Sequence, residues 1–164
     1  MEQAIWQCLA PLSDPEIPVV SLRDMGILRE VRQVQSEWQV VITPTYSGCP
    51  AMDQIEADVR HALQQAGLNA QVIIQLAPAW TTDWMTLLAH QQLRDYGIAP
   101  PCSSAPDGHT HKLRFVRQRT THSVACPRCG SSQTTEVSHF GSTACKALYK
   151  CLSCLEPFDH FKPH

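Results

Sequence analysis

Two CxxC pairs near the end of the chain, Cys126-Pro127-Arg128-Cys129 and Cys151-Leu152-Ser153-Cys154, carry the strongest chemistry in the sequence. A CxxC turn presents two sulfurs on one side of a tight loop. Two such loops roughly twenty residues apart can face each other and close a tetrahedral site with Zn–S bonds of about 2.3 Å. Gly130, just after the first pair, can take the positive φ that such a turn often needs. The donor set predicts structural zinc, with an iron–sulfur cluster on the same four thiolates as the alternative. Four protein ligands leave no open position, so the site is expected to shape the chain and not to catalyse. Arg128, Lys146 and Lys150 are expected to offset the thiolate charge.

The chain has eight cysteines, and five fall between positions 126 and 154. Cys145, the extra one in that stretch, either packs as a small apolar residue beneath the sheet or serves as an auxiliary thiol. Cys49 stands in Thr45-Tyr46-Ser47-Gly48-Cys49-Pro50, a turn leaving a strand and entering a helix. A helix N-terminus favours an anion by about 0.3–1 kcal/mol, so a thiol pKa of about 8.5 is expected to fall by roughly one there. Two readings stand for Cys49, a buried structural cysteine or a functional thiol able to bind a soft metal. Asp14 or Glu16 can approach it in space. No base is fixed beside it by sequence, and no catalytic residue is assigned. Cys8 and Cys102 have no partners at diagnostic spacing, and His109, His111, His122, His160 and His164 read as solvated surface residues.

The elements that must position these groups follow from apolar periodicity. Residues 2–12 read as a short amphipathic helix, 14–18 as a proline-rich loop, and 27–34 and 38–43 as two strands joined by Gln35-Ser36-Glu37. Residues 50–66 place Met52, Ile55, Val59 and Leu63 on one helical face, with Gly67 where a C-terminal cap belongs. Residues 70–76 alternate as a strand. Thr82 or Asp83 is expected to cap a last helix towards Tyr96, with Trp80 and Trp84 anchoring it. The fold class is therefore α/β: a small helix-strand-strand-helix-strand-helix domain over residues 1–99, a linker over 100–120, and a four-cysteine ribbon over 121–164.

A chain of 164 residues suits one ordinary core with a small appendage. Lys plus Arg is 13 against 15 for Asp plus Glu, a formal charge of −2. This balance gives no reason to expect nucleic acid or an anionic membrane as partner. Lys112, Arg114, Arg117 and Arg119 before the first CxxC leave a zinc-ribbon nucleic-acid or protein-binding adaptor as the second reading. The start of the chain lacks an export signal and no apolar run is long enough to span a bilayer, so a soluble, cytoplasmic protein is expected. Cysteines in such a compartment are expected to bind metal and not to pair as disulfides.

Asp14-Pro15-Glu16-Ile17-Pro18, the Cys49 segment and Trp80-Thr81-Thr82-Asp83-Trp84, with Gly97-Ile98-Ala99-Pro100-Pro101 and the tail from Phe140 to Cys151, together resemble the PaaD family of bacterial phenylacetate catabolism. The first two segments are shared with a wider SufT-like group of iron–sulfur assembly proteins, and the tryptophan segment and the tail narrow the match. The resemblance covers nearly the whole chain. It implies an iron–sulfur-assembly-like domain followed by a zinc ribbon. It also implies a non-enzymatic role in maturing the phenylacetyl-CoA ring-1,2-epoxidase, whose iron–sulfur reductase is the expected partner. By the same resemblance Cys49 matches the family's reactive, cluster-handling cysteine and Asp14 and Glu16 its acidic loop. The implied cofactors are structural zinc and a transient iron or iron–sulfur cargo, and a single such thiol per chain suggests ligands shared with the client or within a homodimer.

Overall fold

Ile5 and Leu9 lie one turn apart on α1 (Glu2–Leu9) and are both buried, as i, i+4 spacing requires. The computed structural model describes residues 1–46, 48–101 and 124–163. The helix stops before residue 12, and the stretch read as a proline-rich loop becomes an antiparallel hairpin of β1 (Ser13–Asp14) and β2 (Ile17–Ser21). The Asp14 side chain makes this turn: Oδ1 accepts from the backbone N–H of Glu16 at 2.7 Å and of Ile17 at 3.0 Å. The carboxylate thus stands in for a backbone carbonyl. Pro18, which has no N–H to give, is tolerated because, among the described residues, β2 pairs with β1 alone.

The main sheet has the order β3-β4-β5, from β3 (Leu28–Val34), β4 (Glu37–Ile42) and β5 (Ala70–Ile74). β3 and β4 form a hairpin whose turn residues Gln35 and Ser36 both have positive φ, 48° and 73°, the geometry that matches strand twist across a two-residue loop. β5 runs parallel to β4, so a crossover is required, and α2 (Met52–Gln65) supplies it. Met52, Ile55, Val59 and Leu63 face the core with Val31, Val40, Ile42 and Val72. The predicted stop is at Gly67, with φ of +65°.

The last helix starts later than expected. Thr82–Trp84 forms a separate 3-10 turn, Met85 is extended, and α3 (Leu87–Tyr96) begins behind Thr86, whose Oγ1 accepts from the Ala89 N–H at 3.1 Å. The tryptophan segment is clamped elsewhere: Trp80 Nε1–H donates to the Met25 carbonyl at 3.1 Å, and the Thr86 N–H donates to that of Asp24 at 2.9 Å. Gly26 has φ of +78°, and a Cβ there would come within 2.8 Å of the Trp84 backbone. A continuous helix from Thr82 would pull this clamp apart.

The second sheet has the order β6-β9-β8-β7. β7 (Thr134–Ser138), β8 (Lys146–Cys151) and β9 (Pro157–Phe161) form an antiparallel meander, and β6 (Ile98–Ala99) adds in parallel to β9. The sheet's own buried set is Ala99, Val124, Cys126, Cys151 and Phe158. Cys145 and Phe161 belong instead to the main core, where Phe161 meets Trp80 edge-on at 6.0 Å. His160, read as a solvated residue, is buried, and its Nδ1 lies 3.2 Å from the Ala99 carbonyl at the β6–β9 seam. Cys102, His109, His111, His122, His164 and the basic stretch from Lys112 to Arg119 lie outside the described residues, as does most of the 100–120 linker.

Phe161→Ala is expected to lower unfolding stability by about 3–5 kcal/mol, the cost of an emptied aromatic site, and to alter Trp80 fluorescence. Leu87→Ala, at a side chain 89% exposed, should shift it by less than about 0.5 kcal/mol. Urea titration followed by tryptophan emission measures both.

Candidate functional site

The four sulfurs of Cys126, Cys129, Cys151 and Cys154 all lie within 4.8 Å of one another. Cys126 and Cys154 are 3.8 Å apart and Cys129 and Cys151 are 3.6 Å apart, sulfur to sulfur. A tetrahedron with spokes of 2.3 Å has edges of about 3.8 Å, so the donor set has the size a zinc ion needs. The Cys154 N–H points at Cys151 Sγ from 3.5 Å. This amide first, and that of Ser153 after it, draw the Cys151 thiol down. At the Cys154 thiol the pull of the Glu156 amide is outweighed by burial and by the sulfurs of Cys151, Cys129 and Cys126, which push it up, so the crowded sulfurs do not all shed their protons without a cation. Gly130, with φ of +73°, closes its turn by donating to the Cys126 carbonyl at 2.9 Å. The Ser131 and Ser153 hydroxyls, 2.8 Å apart, tie one knuckle to the other. The site is closed, and zinc bound there would supply structural cross-linking.

Lys146 does not serve this site as the sequence suggested. Its side chain is buried, with Nζ 3.9 Å from Asp159 Oδ2, and it acts electrostatically on Asp14 and Glu16. Gly141 allows this arrangement, since a Cβ at that position would fall 2.6 Å from Asp159 Oδ1. Ser142 Oγ donates to Asp159 Oδ2 at 2.8 Å and holds the carboxylate in place. Arg128 and Lys150 remain at the surface.

Lys146 instead marks a second constellation, built from three places in the chain. The β1–β2 hairpin brings Asp14 and Glu16, the turn between β4 and α2 brings Tyr46 and Cys49, and the start of β8 brings Cys145. Cys145 Sγ lies 3.9 Å from Glu16 Oε2 and 3.0 Å from Thr143 Oγ1, and the Cys145 carbonyl accepts from the Lys162 N–H at 3.0 Å. Cys49 is half-buried, its N–H donating to the Tyr46 carbonyl at 3.2 Å. Asp14 and Cys145 are buried. Ser47 lies outside the described residues.

The electrostatics here reverse the expectation for Cys49. Its thiol is raised, first by burial; the amides of Ala51 and Met52 pull it down, and the carboxylates of Glu16 and Asp14 push it further up. The helix-terminus effect is present, and burial with two acids overrides it. Cys145 is also raised, first by burial and then by Glu16 and Asp14, against the opposing pull of Thr143 and Lys146. Lys146 lowers this thiol without deciding the balance. Asp14 is raised by burial against its two amide hydrogen bonds, and Glu16 by burial and by Asp14. Tyr46 is raised by burial, then by Cys49, Glu16 and Cys145. Tyr46 and Thr143 are members of this site that the sequence reading missed. Each lies within three residues of a cysteine already singled out, and that proximity was the available signal.

Residues 2–74 match the family described as iron–sulfur cluster assembly protein, and residues 111–162 match the PaaD zinc beta ribbon domain. A domain of unknown function from Bacillus anthracis superposes on 56% of this chain and 90% of its own, with a TM-score of 0.51 and 26% identity. A conserved hypothetical protein from Thermotoga maritima aligns over 57% of this chain and 93% of its own, with a TM-score of 0.48 and 20% identity. The family matches and the four-thiolate site define an iron–sulfur-assembly-like α/β module carrying a zinc-ribbon module. An Escherichia coli protein named as a component of 1,2-phenylacetyl-CoA epoxidase is 50% identical over 159 residues, covering 96% of this chain and 90% of the relative. The chain belongs to the PaaD family.

Purified protein is expected to carry one zinc per chain by elemental analysis. Cys151→Ser should lose it, with hydrogen exchange accelerating in β7 and β8 well before β3 and β4. The raised Asp14 carboxyl has a signed pH effect: the folded state holds its proton more tightly, so stability falls as pH rises through the window just above the ordinary value of 3.8. Asp14→Asn keeps the turn's acceptor and should flatten that slope in denaturation curves taken between about pH 4 and 7.

Proposed function

We propose that this chain is a non-enzymatic accessory protein that matures the metal centres of a multicomponent phenylacetyl-CoA ring-1,2-epoxidase in aerobic phenylacetate catabolism. The observation that carries this reading is the 50% identity with the E. coli relative across 96% of the chain, which spans both modules. Cys49 is the thiol that handles iron or an iron–sulfur cluster in transit, and Asp14 and Glu16 are the acidic loop around it. The client is the iron–sulfur reductase component. One thiol is too few to hold a cluster, so the remaining ligands come from the client or from a second copy of the chain.

The division into residues 1–99, a linker over 100–120 and a ribbon over 121–164 belongs to the same proposal, with Ile98–Ala99 forming a hydrogen-bonded seam between the two units. The ribbon docks the client, a role supported by the exposure of Val137, Phe140, Leu152 and Leu155 on it. Zinc in the four-cysteine site holds this docking module in shape. No helix among the described residues is long and apolar enough to cross a membrane, and the reading places the protein in the cytoplasm with its client.

Cells carrying the rest of the pathway and Cys49→Ser in place of the wild-type chain are expected to lose epoxidase activity, with the variant folded and zinc-loaded. Full activity from Cys49→Ser would refute the proposed mechanism. Whole-cell phenylacetate consumption and the reductase's iron content are the readouts.

A further inference from the structure

We propose that Arg29, stacked on the ring of Trp84, anchors a binding site for a short organic carboxylate at one end of the main sheet. A cleft of about 280 Å³ opens beside the stacked pair. None of its lining residues is a ribbon cysteine or part of the Cys49 turn, and the site does not depend on the maturation reading.

Three parts of the fold build it. The register of β3 against β4 slips between Leu28 and Glu30, so Arg29 sits at a bulge. A bulge re-aims the side chain it carries, and Arg29 Cζ stands 3.4 Å from the Trp84 ring centroid. At so short a separation the planar guanidinium lies against the ring face. Trp84 is fixed in turn, because its backbone passes so close to Gly26 that a Cβ there would meet it at 2.8 Å. Thr43 and Gln75 complete the polar lining from just past the carboxyl ends of the parallel strands β4 and β5, the end at which α/β sheets place ligands. Their backbones are pinned: the Thr43 N–H donates to the Ile27 carbonyl and the Gln75 N–H to that of Ile42, each at 2.9 Å. Val41 and Pro78 add apolar wall.

Stacking covers a face of the guanidinium and leaves its N–H edge free, the fork that matches a carboxylate in two parallel hydrogen bonds. Arg29 has no ion pair among the described residues. Burial pulls its pKa below the ordinary value, and no acid acts the other way. Glu30, the acid at the rim, is exposed and pairs with Arg32 at 3.3 Å. A half-buried cation is therefore left without a counter-ion, beside a hydroxyl and a side-chain amide that can donate to the same anion. One cation balances one carboxylate; a phosphate dianion would keep an uncompensated charge next to Glu30. The volume stands at the lower limit for small-molecule pockets, so the ligand is a short acid, either free or carried as an acidic side chain by a polypeptide.

The test is titration of the full-length, zinc-loaded protein with sodium propionate against chloride at constant ionic strength, followed by NMR of the Arg29 Nε–H and the Trp84 indole N–H. Saturable shifts at both signals are expected, with a dissociation constant on the order of 1–10 mM. Propionamide, of the same shape without the charge, should give none. Arg29→Lys keeps the charge and loses the fork, so binding should weaken by about tenfold or more. Arg29→Met should abolish the Trp84 shift. The peptide acetyl-Ala-Glu-Ala-amide, compared with its Gln counterpart, separates the two sources: binding of the Glu peptide at least as tight as that of propionate assigns the site to an acidic side chain, and binding of propionate alone to a free acid. Shifts that do not saturate, that propionamide reproduces, or that persist at Trp84 in Arg29→Met overturn the proposal. If Arg29→Met fails to fold, the comparison of propionate with propionamide on the wild-type chain decides.

Discussion

Among the described residues, the second sheet's own apolar cluster comprises Ala99, Val124, Cys126, Cys151 and Phe158, two of which belong to the four-thiolate group. Burying a large apolar side chain contributes about 1.5–3 kcal/mol, whereas ordering each residue's backbone costs about 1–2 kcal/mol. A unit of some forty residues with so small a core does not close that gap by packing. Tetrahedral bonding of four thiolates, with an apparent ~10–16 kcal/mol in small zinc modules, is of the right size to do so. The four-cysteine site is the interaction on which the rest depends. It fixes the end of β8 at Cys151 and holds the two cysteine knuckles face to face.

The opposite face of the same sheet is held by a different force. Phe161 and Cys145 extend the main apolar core, and Lys146 brings a buried positive charge to a hairpin carrying two acids. Removing an ammonium from water costs several kcal/mol unless partners meet it. Asp159, oriented by Ser142 and made possible by Gly141, is the partner on its own sheet, while Asp14 and Glu16 are the partners across the seam. The seam is thus specified by charge as well as by shape. A ribbon docked in another register would strand Lys146.

Local patterns were legible wherever local forces decide. The CxxC spacing located the metal site, and period-2 and period-3.6 hydrophobicity located β3, β4, β5 and α2. Three misreadings share one cause, the absence of tertiary information. Pro15 and Pro18 hid the β1–β2 hairpin, because the Asp14 carboxylate supplies turn bonds that no propensity records. Thr82 looked like a cap, but the hold of Met25 and Asp24 on the tryptophan segment moved the helix start to Thr86. Cys49 carried the favourable field of a helix terminus, and burial beside Asp14 and Glu16 reversed the net direction. In the same way Lys146, near the metal ligands in sequence, serves acids more than a hundred positions away.

β8 joins the two sites mechanically. Its last residue, Cys151, is a ligand of the ribbon metal, and its first, Lys146, follows Cys145 directly. Paired on both sides, by β7 and β9, it is a central strand and the stiffest path available between them. A strand of six residues spans about 20 Å, so the zinc exerts little direct field on the acidic thiol site at cellular ionic strength. Any influence must pass through position. An ordered ribbon fixes where Cys145 and Lys146 stand, and the packing of Cys145 and Phe161 into the main core fixes the ribbon in turn. Such coupling is reciprocal by thermodynamic necessity: order on either side of the seam lowers the cost of ordering the other.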